Sequence, residues 1–200
     1  AQNTGWQGAP FSYGAPMLRL QLVIDYSDGT RLVSGSDESW TWQTGPVVKS
    51  NIYLGECYDA RKEIAGWSEP GSSCSGWNAA VEAGSGIPPL LKPQPIEPIR
   101  KKQALKARKM WQSANGDWIF DFGQNTAGIP MLCARQPKGT RLLIRIAEEV
   151  NEKGEPDFRS LGWIHHGKIF TDEYVCKGGD TERWTPRFTY HGFRYAALSG

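Results

Sequence analysis

The sequence predicts an all-β protein, an antiparallel β-sandwich of the jelly-roll kind. Three observations carry this. Apolar residues recur with a period of two, not the ~3.6 of a helix. Gly-bearing turn signals break the chain at short, regular intervals. No stretch holds a sustained helical pattern; residues 104–111 come nearest, and Gly116 with the strand beyond it leaves little room.

In chain order, residues 1–16 are Gly- and Pro-rich and read as a surface-lying segment ahead of one sandwich domain spanning 17–200. Leu18, Leu20, Leu22 and Ile24 alternate with Arg19, Gln21, Val23 and Asp25. Asp28-Gly29 then signals a hairpin, because Gly29 tolerates positive φ, and 30–33 is the return strand. Trp40 and Trp42 alternate in a short strand stopped by Gly45-Pro46. Residues 84–98 hold Pro88, Pro89, Pro93, Pro95 and Pro98, so this stretch must be extended and reads as a crossing between sheets. Trp118, Phe120 and Phe122 share one strand face. Residues 122–130 (FGQNTAGIP) read as a glycine-bearing turn with Asn125 at its apex, followed by a strand over 129–134. Leu142, Ile144 and Ile146 line one face of 141–150, and 168–176 alternates in the same way. The aromatic run 187–198 closes the chain as a core strand, with His191 expected to find a backbone partner.

Composition narrows the function classes. With 23 basic against 21 acidic residues the net charge is +2, so no global field points to nucleic acid. The one basic run, 100–109, reads as a solvated linker or edge strand, or as a polyanion contact. No apolar run approaches the ~18–20 residues of a membrane helix. The four cysteines show no C-x-x-C spacing; Cys133 and Cys176 fall in apolar strand patterns and read as buried thiols, while two disulfides remain open to a secreted chain. Nine Trp is a high number for 200 residues, and it implies that most are core. No nucleophile elbow, P-loop or dinucleotide fingerprint is present, and nothing pairs two carboxylates at a glycosidase separation.

Several segments together carry a resemblance: 18–29 (LRLQLVIDYSDG), 36–40 (SDESW), 44–46 (TGP), 55–61 (GECYDAR), 120–125 (FDFGQN), 147–149 (AEE) and 186–195 (PRFTYHGFRY). In this order and spacing they resemble the non-catalytic N-terminal half of the glycoside hydrolase family 78 α-L-rhamnosidases, and within it the jelly-roll region classed as carbohydrate-binding module family 67. The resemblance implies a lectin-like, calcium-dependent module for terminal L-rhamnose. It implies no catalysis by this chain, since the family's catalytic barrel is a separate domain. It further implies a covalently linked catalytic domain, a rhamnose-containing polysaccharide or glycoside as partner, and a secreted or periplasmic location.

Site residues follow from both sources. A rhamnose site needs polar groups for vicinal hydroxyls and an apolar wall for the methyl and ring face. Glu56, Asp59 and Arg61 place two carboxylates and a guanidinium within six residues, with Asp59 and Arg61 on one strand face and Glu56 on the other. Two readings stand: a sugar or metal contact, or a structural Asp59–Arg61 pair. The resemblance implies a Ca²⁺ site using the Asn125 side chain and the Pro130 carbonyl, with Asp59 as a further candidate ligand. Asn125 capping its own turn is the alternative. Trp163, beside His165 and His166, is the candidate apolar wall. One departure bears on the ion: relatives carry an acidic pair where this chain reads Ser73-Cys74.

Overall fold

A computed structural model of the chain describes residues 17–52, 54–84, 92–159 and 170–200. The N-terminal segment 1–16 and the Trp163-His165-His166 loop lie outside the described residues. In chain order the strands are β1 (Gln21–Asp25), β2 (Arg31–Gly35), β3 (Thr41–Trp42), β4 (Val47–Asn51), β5 (Gly55–Asp59), β6 (Asn78–Ala79) and β7 (Lys109–Gln112). They continue as β8 (Trp118–Gly128), β9 (Leu132–Ala134), β10 (Arg141–Ala147), β11 (Glu149–Val150), β12 (Pro156–Asp157), β13 (Thr171–Val175), β14 (Glu182–Trp184) and β15 (His191–Ser199). The sole helical element among the described residues is a 3-10 turn at Ala60–Lys62.

The chain packs as two compact units. One comprises Gly14–Thr44 with Ile64–Lys102. It holds the β1–β2 hairpin and the β3–β6 pair. In the hairpin, Asp28 Oδ1 accepts from the Thr30 N–H and hydroxyl, and Gly29 sits at φ +84°, the positive value the turn demands. None of the described residues of this unit is buried.

The larger unit, built chiefly from Gly45–Glu63 and Gln103–Gly200, contains the core. Its seven-stranded sheet runs β4-β5-β13-β10-β15-β8-β7. Every pair is antiparallel save β5 with β13, whose parallel register sets Tyr58 against Tyr174. Alternation along β10 sends Leu142 and Ile144 to one face, where they pack with Tyr174, Cys176 and Ala196 under Leu132 of β9 and Trp184 of β14. The opposite face carries Ala147, Ile119, Tyr195 and Ala197, packed with Val150 and Phe158 at the β11–β12 ribbon. The result is a β-sandwich with a broad main sheet and two-stranded covers.

Four expectations change on contact with the structure. The glycine-bearing stretch after Phe122 is not a turn between strands. Asp121 pairs with Tyr195 and Thr126 with Phe193, so residues 122–125 make a wide bulge opposite Arg194, and both flanks pair with the same strand. Gly123 (φ +81°) donates to Asp121 Oδ1 at 2.6 Å and makes that excursion possible. The last strand begins at His191, so Phe188 and Tyr190 are exposed loop residues, not core. Cys176 is buried as expected, but Cys133 is exposed, and all four cysteines are free. Among the described Trp residues only Trp184 is buried, because most of the others fall in the unit without buried positions or at the sheet edge.

Gly55 opens β5 at φ +96°, and a Cβ there would overlap the Thr171 carbonyl and come within 2.9 Å of Asp172 Oδ1. Gly55→Ala therefore combines left-handed strain with a backbone clash. We expect a loss of at least ~2 kcal/mol in urea unfolding. An unchanged midpoint would show that β5 does not need this close approach.

Candidate functional site

The bulge at 122–125 presents the first group of interest. Asn125 is exposed, and its Nδ2 donates to Glu148 Oε1 at 3.1 Å. Glu148 directly follows β10 and is half-buried. With Nδ2 engaged, Asn125 Oδ1 is the atom left to receive a donor or a cation. Pro130 follows β8 and is buried. Below the bulge, Arg194 Nε and Nη2 donate to the two oxygens of Asp121 at 2.8 and 2.9 Å. This bidentate pair fixes the residue opposite the bulge and holds the Asp121 carboxyl below its ordinary value.

Asp59 and Arg61 lie elsewhere. Three strands separate β5 from β8, so Asp59 and Asn125 are not brought together. Arg61 Nε and Nη2 each donate at 2.8 Å to the two Asp59 oxygens, and the Arg61 N–H donates to Oδ1 at 3.1 Å. Asp59 thereby caps the 3-10 turn, and the Arg61 hydrogen bond holds its carboxyl below the usual value. The pair lines an open hollow with Lys62, Arg141 and Glu173.

Glu56 points to the opposite face, as strand alternation requires, and is buried (1% exposed). Its Oε2 accepts from the Arg187 and Phe188 N–H groups, both at 3.1 Å. Burial pushes its carboxyl above the usual range; those two N–H groups pull it down, and the Asp172 charge adds to the rise. Sequence reasoning missed two neighbours. Asp172 Oδ1 accepts from the Glu56 N–H at 2.9 Å, and Asp172 Oδ2 lies 3.0 Å from His191 Nε2. The His191 partner is thus a carboxylate, not the backbone group expected. Trp163 lies outside the described residues.

A calcium ion takes about six to eight oxygens. Beside Asn125 stands the Glu148 carboxylate, and Asp59 does not reach it. Among the described residues no group of three or more His, Cys, Asp or Glu is placed to hold a metal.

Comparison with known proteins adds a second line. Residues 1–103 match the family described as "Alpha-L-rhamnosidase N-terminal domain", and 111–200 match "Bacterial alpha-L-rhamnosidase concanavalin-like domain". The chain is 37% identical over 205 residues to an alpha-L-rhamnosidase of Formosa agariphila, and 38% over 203 residues to one of Streptomyces avermitilis. Both alignments take in 100% of this chain but only 21% and 19% of the relative, so the chain spans about a fifth of their length. Among solved structures it is similar to the Streptomyces avermitilis alpha-L-rhamnosidase complexed with L-rhamnose (TM-score 0.89, 36% identity, 100% of this chain and 19% of that one). It is also similar to the enzyme from Dictyoglumus thermophilum (TM-score 0.79, 36% identity, 91% and 20%).

The Asp59–Arg61 pair yields a pH test. A carboxyl held below its unfolded value stabilises the fold above that value, and the contribution is lost as pH falls through the folded one. Asp59→Asn should lower Tm by about 2–4 °C at neutral pH, with the difference shrinking below about pH 4. A constant difference across that range would show that the charge is not what the turn uses.

Proposed function

The chain belongs to the α-L-rhamnosidase family, through its N-terminal and concanavalin-like regions, and from that premise we propose that it is a carbohydrate-binding accessory domain for terminal L-rhamnose. Its role is to hold a covalently linked catalytic domain near rhamnose-bearing polysaccharide or glycoside outside the cytoplasm. Tethering raises effective concentration, so even a weak contact is useful. The chain itself performs no hydrolysis in this reading.

One observation carries the proposal. The wide bulge of β8 lifts Asn125 to the surface with Nδ2 held by Glu148 and Oδ1 without a partner among the described residues. An amide fixed at one end and free at the other suits a sugar hydroxyl. Glu148 supplies a second acceptor beside it. Calcium assistance is the second form of the same proposal, with Asn125 Oδ1 and the Pro130 carbonyl among the ligands and sugar hydroxyls or water completing the shell. A purely structural accessory role is the rival, favoured by Ser73-Cys74 standing where relatives carry an acidic pair.

Titration calorimetry with L-rhamnose decides among these. A monosaccharide at an open site should bind weakly, with Kd about millimolar. Asn125→Ala should weaken binding at least ~10-fold with Tm unchanged, the loss of roughly one good hydrogen bond. Heat abolished by EDTA and restored by Ca²⁺ establishes the assisted form. No heat under any condition leaves only the structural role, and release of rhamnose by the isolated chain would overturn the non-catalytic reading.

A further inference from the structure

A sugar site needs an apolar wall beside its polar groups, and the chain that enters β15 carries one. Exposure alternates along it: Thr189, His191, Phe193 and Tyr195 are buried, Tyr190 and Gly192 are exposed, and Arg194 is half-buried. Tyr190, Gly192 and Arg194 therefore project from one side of the strand, as the pleat requires. On β8, Asn125 and Ala127 are both exposed, and Thr126 and Gly128 are more covered. Ala127 pairs with Gly192, and cross-strand partners share a face. Asn125, Ala127, Tyr190 and Gly192 thus lie on one surface. Glu148 ties that surface together. Its Oε1 accepts from Asn125 Nδ2, and the same oxygen lies 3.5 Å from the position a Cβ on Gly192 would take.

The middle of the surface is low. Gly192 has no side chain and Ala127 only a methyl, so little rises between the Asn125–Glu148 pair and the Tyr190 ring. Two strand residues span about 7 Å, so Tyr190 flanks Gly192 at a spacing that suits a single sugar ring. Phe188 is also exposed, but it lies two residues farther from Gly192. The backbone under Tyr190 is anchored on both sides. The Phe188 N–H donates to Glu56 Oε2 at 3.1 Å, and the Thr189 hydroxyl donates to the Ile52 carbonyl at 3.3 Å. On the other side, His191 Nε2 lies 3.0 Å from Asp172 Oδ2. The Tyr190 ring, 44% exposed, is therefore presented on fixed backbone, which lowers the ordering cost of binding.

We propose that Tyr190 is the apolar wall of the Asn125 site: its ring receives the C6 methyl of a deoxy-sugar lying over Ala127 and Gly192, while the sugar hydroxyls meet Asn125 Oδ1 and Glu148. This rests on the carbohydrate-binding reading and adds to it the residue that decides which sugar is taken. The polar end engages hydroxyls that many hexoses share. The ring discriminates at C6. A methyl there loses only apolar contact with water, whereas a hydroxymethyl brings a hydroxyl that must shed its hydration against an aromatic face. The site accordingly selects L-rhamnose over L-mannose, its 6-hydroxy counterpart.

Amide NMR titration of the whole 200-residue chain with L-rhamnose and with L-mannose tests this. The Ala127 and Gly192 amides should shift with rhamnose, and rhamnose should bind roughly 4-fold more tightly than L-mannose, the effect of one methyl-sized group. Tyr190→Ala should weaken rhamnose ~10-fold and bring the two sugars level, with Tm kept. Tyr190→Phe, which keeps the ring, should restore both affinity and preference. Asn125→Ala should weaken both sugars alike. Rhamnose binding that Asn125→Ala weakens and Tyr190→Ala does not would overturn the wall and leave the carbohydrate-binding reading standing. No rhamnose response in the unaltered chain would overturn both. If Tyr190→Ala does not fold, the unaltered chain decides: equal affinity for the two sugars, or unmoved Ala127 and Gly192 amides, overturns the wall.

Discussion

The middle of the main sheet is apolar on both faces, and the rest of the larger unit is organised to satisfy that. Strand β10 sends Leu142, Ile144 and Ile146 one way and Ala147 the other; β15 sends Ala196 one way and Tyr195 and Ala197 the other. A single strand layer with two dry faces needs cover twice. The β9–β14 ribbon with Leu132 and Trp184 supplies one cover, and the β11–β12 ribbon with Val150 and Phe158 the other. Both ribbons are two or three residues long per strand. Their work is done by a few large side chains and not by extended pairing. Stacked rings continue the same layer: Tyr58 and Tyr174 lie nearly parallel, with centroids 5.8 Å apart, and both tilt against Trp184.

Ion pairs are placed where that layering is interrupted. Asp121–Arg194 sits at the ladder break between β8 and β15, and Asp59–Arg61 closes the strand β5 into its 3-10 turn. In each, the aspartate is almost fully covered and the arginine remains partly in water. The guanidinium keeps some hydration while its planar fork fixes the carboxylate. The chain thus holds an irregular backbone with bidentate pairs, and the candidate sugar contact at Asn125 rests on one of them.

Much of this fold was legible in the sequence, for a physical reason. Period-two alternation over 18–24, 118–122, 141–147 and 171–176 is dictated by the pleat, so β1, β8, β10 and β13 could be placed from residue type alone. The covers could not: two-residue strands such as Pro156–Asp157 carry no period. The bulge misled because its glycine and Asn suit a reverse turn as well as an excursion within one strand, and only the partner register separates the two. Asp59–Arg61 was legible as a pair because both residues project from one face of a short segment. The Glu56–Asp172–His191 chain was not, since its two links span 116 and 19 residues of sequence and the second crosses β10. Of the proposed sugar-site residues, Asn125 stands where a ligand can reach it, and Glu148 joined it only through three-dimensional proximity.

The parallel pairing of β5 with β13 carries a consequence for synthesis. Strand β5 has β4 on one side from the start, but its other neighbour begins at Thr171. During translation the β4–β5 hairpin emerges with an unpaired flank that stays open until Thr171–Val175 has left the ribosome. Ordering of this edge is therefore governed by long-range chain closure, the slow kind of contact, and the nascent polypeptide must be kept from associating through that flank in the interval.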